Sequence, residues 1–286
     1  MKSMNIFIVI AFGLFSCDQD QARMDEVATT KILTTKTIEI DQQIDGQLVS
    51  RSVLIQAPPV SDATAKYPLV FAFHGRGGNN KYWVNTLRQF TDAGVFIGIY
   101  PQGHLNAWNL GTEPSTADDV AFVNTIVETL LTYTNVDSEK IFALGSSNGA
   151  GMVNTLAAKT PHFKAIAPVA SQLIASIDIS TQTKPVSIFQ INGAKDNVIP
   201  IEGGERFGHS FFSAHESVRR WAMQFGCDLT PSETILLGNT SLVFSGCSDQ
   251  IEVQYLRVEN AEHNISAAYP QLWQHIWTFF SSRSIL

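Results

Sequence analysis

The chain is short of positive charge: 19 Lys and Arg stand against 26 Asp and Glu in 286 residues, a formal net charge of -7. That balance gives no electrostatic footing on nucleic acid or on an anionic membrane surface, so neither is expected as a partner, and a neutral or weakly charged ligand fits better. Charge of either sign is sparse at 16%, while 44% of residues are hydrophobic. Such a composition argues against extended disorder and supplies enough apolar surface for a sizeable core. Cysteine is scarce too, with three in the chain, at 17, 227 and 247. The N-terminal apolar run, Ile6 to Phe15 behind Lys2, is too short to span a bilayer but suits the core of a signal peptide, so export is expected. No internal repeat is visible.

The early apolar run ends in "LFSC", which resembles the lipobox of bacterial lipoproteins, where the cysteine becomes a lipidated N-terminus. On that reading residues 1–17 are a lipoprotein-type signal ending at a lipidated Cys17, residues 18–35 are a flexible polar tether, and residues 36–286 form the folded body. Any membrane contact is then expected through the anchor alone. Setting Cys17 aside leaves Cys227 and Cys247 as an even pair, expected to be disulfide-bonded in an oxidising compartment.

Two alternating stretches, "KTIEI" and "LVSRSVLIQAP", flank an Asp45-Gly46 turn signal and predict an antiparallel hairpin. Past Pro58-Pro59 the pattern changes to continuous apolar runs: "YPLVFAFHG", "VFIGIYPQG", "KIFALGS", "FKAIAPVAS", "PVSIFQING" and "IEVQYLRVE". Runs of this kind belong to strands buried on both faces of a parallel sheet. Helical stretches lie between them: one opening near Ser115 or Thr116 with Asp118 or Asp119 as a capping box, and others at 148–159, 213–226 and 268–283. Strands alternating with helices predict an α/β fold with a mostly parallel, doubly wound sheet behind the N-terminal hairpin.

One pentapeptide stands out. "GSSNG", residues 145–149, sits between strand-like "KIFAL" and helix-like "NGAGMVNTLAAK", the strand-turn-helix setting in which a serine is presented as a nucleophile. Ser147 occupies the nucleophile position, and Ser146 is a small residue in a tight turn. A serine hydroxyl needs a histidine base, which in turn needs an acid to fix its tautomer. In the chain order serine, acid, histidine, the loop after "PVSIFQI" offers Asp196 and the loop after "IEVQYLRV" offers His263. Glu202, Asp249 and Glu262 are the alternatives for the acid. Two backbone donors are required for the developing oxyanion. The N–H of Asn148 supplies one, and the glycine-rich "HGRGGNN" supplies the other, from Arg76 or, failing that, Gly75. His74 is expected to shape that loop.

Taken together, "FHGRGGNN", "AWNLG" with "ADDVAFV", "IFALGSSNGAGMVNTLA", "FKAIAPVAS", "PVSIFQINGAKDNVIPIEGG", "WAMQFGC" and the closing "AEH" resemble the exported serine esterases of the poly(3-hydroxybutyrate) depolymerase and feruloyl esterase group, over about residues 50–282. The resemblance implies an α/β-hydrolase fold, a serine carboxylesterase with Ser147, Asp196 and His263 as its triad, no cofactor and no metal. It also places Trp108 where such proteins often have an aromatic beside the pocket, with Trp108, His74 and Gly75 as substrate-binding residues; a buried core tryptophan is the other reading of Trp108. This chain departs from the group in two places. "NAEHNIS" replaces the glycine-rich stretch and the Thr-Trp-Pro-like segment around the histidine, and "LGTEPSTA" stands where many members carry a cysteine pair. The expected substrate is a small ester or oligosaccharide ester, feruloyl or acetyl esters of plant polysaccharide before hydroxybutyrate oligomers, since no separate polymer-binding domain is seen after the esterase region. A peptidase and a non-catalytic surface-binding module on the same fold are the remaining alternatives.

Overall fold

A computed structural model describes residues 31–59, 64–179 and 184–283. The signal segment and the anchor at Cys17 lie outside the described residues. In chain order the strands are β1 (Lys36–Ile44), β2 (Gln47–Gln56), β3 (Tyr67–Phe73), β4 (Ile97–Pro101), β5 (Val136–Ser146), β6 (Ala165–Val169), β7 (Ser187–Gly193), β8 (Gly204–Arg206), β9 (His209–Phe211), β10 (Ser232–Leu236), β11 (Asn239–Phe244) and β12 (Val253–Val258). The helices are α1 (Tyr82–Asp92), α2 (Asp119–Leu130), α3 (Asn148–Lys159), α4 (Ala214–Gln224), α5 (Ile265–Ala268) and α6 (Leu272–Ser282).

Ten strands form one sheet in the order β1-β2-β4-β3-β5-β6-β7-β12-β11-β10. Its centre, from β4 to β12, is parallel, and those six strands are the six continuous apolar runs of the sequence. The reason is visible in β3, where Leu69, Phe71 and Phe73 join the core on one face while Val70 and Ala72 join the core on the other. Helices α2, α3 and α4 cover the first face with residues such as Phe122, Met152 and Trp221, and α1 and α6 cover the second with Trp83, Phe90, Ile276 and Phe280. With both faces buried, alternation gives way to mostly apolar runs, and polar exceptions such as Gln190 and Asn192 in β7 are buried and hydrogen-bonded. At the N-terminal edge the expected hairpin forms around Asp45 and Gly46, both at positive φ (48° and 77°), the geometry that matches the twist of paired strands.

Several expectations need correction. Residues 31–35, read as tether, are part of the folded body: Leu33 is fully buried, and its N–H and C=O both pair with the Asn135 side chain (2.8 and 3.0 Å). A single apolar residue, held by an amide a hundred residues away, leaves no local periodicity to detect. Helix α2 is capped by Asp118, whose carboxylate accepts from Ala121 N–H at 2.9 Å, and not by Ser115 or Thr116. Asp119 instead meets Arg51 in a buried ion pair at 2.6 Å. The stretch from 268 to 283 is interrupted at Pro270, and its long helix begins at Leu272. The sequence reading does not single out α1 or the antiparallel pair β10–β11. A disulfide between Cys227 and Cys247 ties the segment after α4 to the segment after β11.

Candidate active site

Strand β5 ends at Ser146, and the chain turns at once into α3. Ser147 sits in that turn at φ 57°, ψ -118°, a conformation that strains any residue with a side chain. The crowding around it explains the flanking glycines. A Cβ on Gly145 would lie 2.2 Å from the Gly149 carbonyl oxygen, and one on Gly149 would lie 2.2 Å from the Phe73 carbonyl oxygen. Only bare backbone fits, so the turn can stay tight and lift the Ser147 hydroxyl off the sheet edge.

The other two groups arrive by topology. Strands β7 and β12 are parallel neighbours, so the loops after them leave the same edge of the sheet. Those loops are stitched together by Ala194 N–H to the Val258 carbonyl (3.0 Å) and Lys195 N–H to the Ala261 carbonyl (2.9 Å). Asp196 and His263 are thereby brought side by side, with Asp196 Oδ2 at 2.7 Å from His263 Nδ1 and His263 Nε2 at 3.0 Å from Ser147 Oγ. The second carboxylate oxygen, Oδ1, accepts from the N–H groups of Val198 and Ile199, each at 2.9 Å. The Asp196 side chain is fully buried, whereas that of His263 is 26% exposed, as a base that meets substrate must be. None of the alternative acids takes this place. Glu262 faces solvent, Asp249 sits in an exposed turn, and Glu202 borders a different cavity.

Two hollows meet at Ser147 and His263. The first, a cavity of about 290 Å³, is walled by Leu110, Ile174, Ile199, Phe207 and Phe211. The second, about 350 Å³, shares Arg76, Ser147 and His263 with the first and mixes the Tyr82 and Trp273 rings with Ser146, Asn264 and Ser266. Gly75 borders the second hollow, and a Cβ there would come within 3.4 Å of Ser147, so this loop passes directly over the serine. Arg76 borders both. Asn148 opens α3, where helix geometry provides its N–H with no partner of its own.

Trp108 and His74 are not pocket residues. The Trp108 ring is fully buried, packed edge-on against Phe73 at 5.0 Å, and its indole N–H donates to the His74 carbonyl at 2.8 Å. It is a core tryptophan that supports the glycine-rich loop from beneath, and no face of it is left for a substrate. His74 is equally buried; its Nε2 accepts the Gly103 N–H at 3.0 Å, and burial holds its pKa below the ordinary histidine value. Its part is to shape the loop.

A cluster that the sequence reading did not single out lines part of the apolar cavity. Glu113, with its side chain fully buried, accepts from Arg76 (2.7 Å), His209 (3.1 Å) and the Asn148 side chain (3.2 Å) on one oxygen, and from Leu110 N–H (2.8 Å) on the other. Burial by itself pushes this carboxyl up, but the hydrogen bonds from His209 and Leu110 and the charge of Arg76 outweigh it and hold it below the usual carboxylate value. His209 comes from the small hairpin β8–β9, whose tip carries Phe207 to within 5.4 Å of the Arg76 guanidinium. Among the described residues, no three His, Cys, Asp or Glu are grouped so as to hold a metal ion, and no helix is long and apolar enough to cross a membrane.

No family model matches the chain. Over 219 residues it is 27% identical to feruloyl esterase C of Emericella nidulans, covering 72% of this chain and 74% of that one. It is 26% identical to feruloyl esterase B of Piromyces equi over 228 residues, which are 74% of this chain but only 42% of the relative. Among solved structures, an acetyl xylan esterase from Aspergillus awamori superposes with a TM-score of 0.63 at 14% identity, over 86% of this chain and 99% of the other. The chain is a carboxylic ester hydrolase with the α/β-hydrolase fold, and its sequence relatives include feruloyl esterases.

Proposed function

We propose that this hydrolase works through an acyl-enzyme on Ser147, with feruloyl or acetyl esters of plant polysaccharide fragments as its substrates. The observation that carries the reading is the relay from Asp196 through His263 to a strained Ser147 (2.7 and 3.0 Å) at the meeting point of two hollows. In the first half-reaction His263 Nε2 takes the Ser147 proton as Oγ attacks the ester carbonyl. The tetrahedral oxyanion is held by the N–H groups of Asn148 and Arg76, with Gly75 as the alternative to Arg76. His263 then returns the proton to the departing alkoxide, and in the second half-reaction water repeats the sequence to release the acid. Asp196 keeps the imidazole in the tautomer that leaves Nε2 free to accept.

The acyl group is assigned to the apolar cavity, whose aliphatic and aromatic walls suit a planar ring better than a small polar group. That placement puts the alcohol on the more polar side, open to a sugar. A feruloyl ester is therefore favoured over an acetyl ester, and both over a hydroxybutyrate oligomer. Export, with lipid attachment at Cys17, belongs to the same proposal and rests on the Ile6–Phe15 run and "LFSC".

Fluorophosphonate labelling tests the chemistry, because it requires an activated serine. Wild type is expected to be labelled at Ser147. Ser147→Ala is expected to lose labelling and to lose turnover by on the order of 10⁶, whereas Ser146→Ala keeps both. Labelling that survives in Ser147→Ala would refute the assignment. A panel of feruloyl, acetyl and hydroxybutyrate esters tests the substrate, and the highest kcat/KM on hydroxybutyrate oligomers would overturn it. Detergent partitioning of wild type against Cys17→Ser tests the anchor, which fails if both stay in the aqueous phase.

A further inference from the structure

An oxyanion hole is effective only if its donors are already aimed before charge develops. The Asn148 N–H takes its direction from the first turn of α3, whereas no helix or strand holds Arg76. Arg76 lies in an irregular loop between glycines at 75, 77 and 78; bonds from Gly77 N–H to the Asn106 carbonyl (2.7 Å) and from Gly78 N–H to the Gly75 carbonyl (3.0 Å) tie the loop beyond it but not Arg76 itself. Something must fix it. From these side-chain contacts we infer that Glu113 is the positioning residue that sets both donors at once, an inference that rests on the acyl-enzyme reading.

A single atom makes the connection. Glu113 Oε1 accepts from the Arg76 guanidinium at 2.7 Å and from Asn148 Nδ2 at 3.2 Å, so the two residues whose N–H groups would hold the oxyanion share one anchor through their side chains. His209 Nε2 adds a third contact to that oxygen at 3.1 Å. The other oxygen is held by the N–H groups of Leu110 (2.8 Å) and Thr112 (3.3 Å), so the carboxylate has no freedom to swing. The Asn148 amide is braced a second time, exchanging hydrogen bonds with the N–H and carbonyl of Trp108 (2.7 and 3.0 Å). The requirement is specifically for a carboxylate. Donors converge on both oxygens, so a glutamine, whichever way its amide is turned, sets an NH₂ group against incoming N–H groups on one side.

Glu113 also lines the acyl cavity, so its effect on the oxyanion must be separated from any effect on the pocket. The experiment compares wild type with Glu113→Gln on the best ester of the panel, alongside two inhibitors with the same acyl group. A trifluoromethyl ketone adds to Ser147 and carries an oxyanion; an unreactive amide fills the pocket without one. Outright loss of an oxyanion donor costs on the order of 10²–10³ in kcat, and loosening both should cost roughly 10- to 100-fold. We expect that fall in kcat with KM changed by no more than about twofold, a matching loss of ketone affinity, and unchanged amide affinity. A kcat near wild type would overturn the inference. So would an equal loss of ketone and amide affinity, since that is the behaviour of a pocket wall.

Should thermal melting show that Glu113→Gln does not fold, Arg76→Ala carries the same test. Its side chain is 41% exposed and its backbone N–H survives the substitution. A selective loss of ketone affinity supports the inference there, and equal affinity for ketone and amide relative to wild type overturns it. Failure of the underlying reading looks different: wild type itself would then be unlabelled by fluorophosphonate and would turn over no ester, and the inference would fall with it.

Discussion

Replacing Asp196 with asparagine changes one atom of the relay, and the surroundings decide which way the new amide must face. Oδ1 accepts two backbone N–H groups, from Val198 and Ile199, both at 2.9 Å. An amide turned with its NH₂ toward those donors would lose both bonds inside a fully buried site, so the carbonyl must stay there and the NH₂ must take the Oδ2 position, 2.7 Å from His263 Nδ1. A donor facing Nδ1 forces that nitrogen to accept. The ring proton moves to Nε2, 3.0 Å from the Ser147 hydroxyl, and the base can no longer take the serine's proton. The wrong tautomer costs on the order of 10⁴ in kcat, which corresponds to roughly 5 kcal/mol of transition-state stabilisation. The size and shape of the side chain are kept, so the melting temperature should scarcely move. Turnover of an activated ester, followed by the rate of fluorophosphonate labelling, measures the effect in two independent ways. An Asp196→Asn enzyme within about tenfold of wild type would refute the reasoning, because the tautomer would then not be under the control of this carboxylate.

Other expectations follow from neighbouring features. Leu110→Trp intrudes on the apolar cavity from a partly exposed position, so kcat/KM for a feruloyl ester should fall by more than about tenfold while an acetyl ester is nearly unaffected; equal losses on the two esters would remove this cavity as the acyl site. Reducing the Cys227–Cys247 disulfide opens a loop of 20 residues, which on chain-entropy grounds costs roughly 3 kcal/mol. Thermal melting with and without reductant measures that cost, and coincident curves would contradict it. His74 is held below its ordinary pKa by burial, so the unfolded chain takes up the proton first, and the stability it contributes is complete above about pH 6.5 and lost as pH falls below that, by up to roughly 1.4 kcal/mol per pH unit. His162 and His275 are shifted in the same direction, also by burial. His74→Gln should therefore flatten the melting-temperature profile between about pH 7 and 5.5 without abolishing it, and an unchanged slope would count against the account.

Some of this molecule is written in local pattern. A strand covered on both faces is apolar at most of its positions, so the six central strands can be read directly from the runs between Tyr67 and Val258. Because parallel neighbours leave their loops on one edge of the sheet, the placement of Ser147, Asp196 and His263 at the ends of β5, β7 and β12 was legible as well. The glycines of "GSSNG" announced a turn too tight for side chains, and the spacings at Gly145 and Gly149 give the reason. What local pattern does not encode is where a side chain in an irregular loop points. Trp108 could have faced the pocket or the core, and only the packing of Phe73 and His74 around it turned it inward. Glu113 lies 96 residues from His209, 37 from Arg76 and 35 from Asn148, and no periodicity links them. They meet because a loop, a hairpin and a helix start converge on one buried carboxylate. Burial makes that carboxylate demand partners, and the tertiary fold alone determines which residues are near enough to answer.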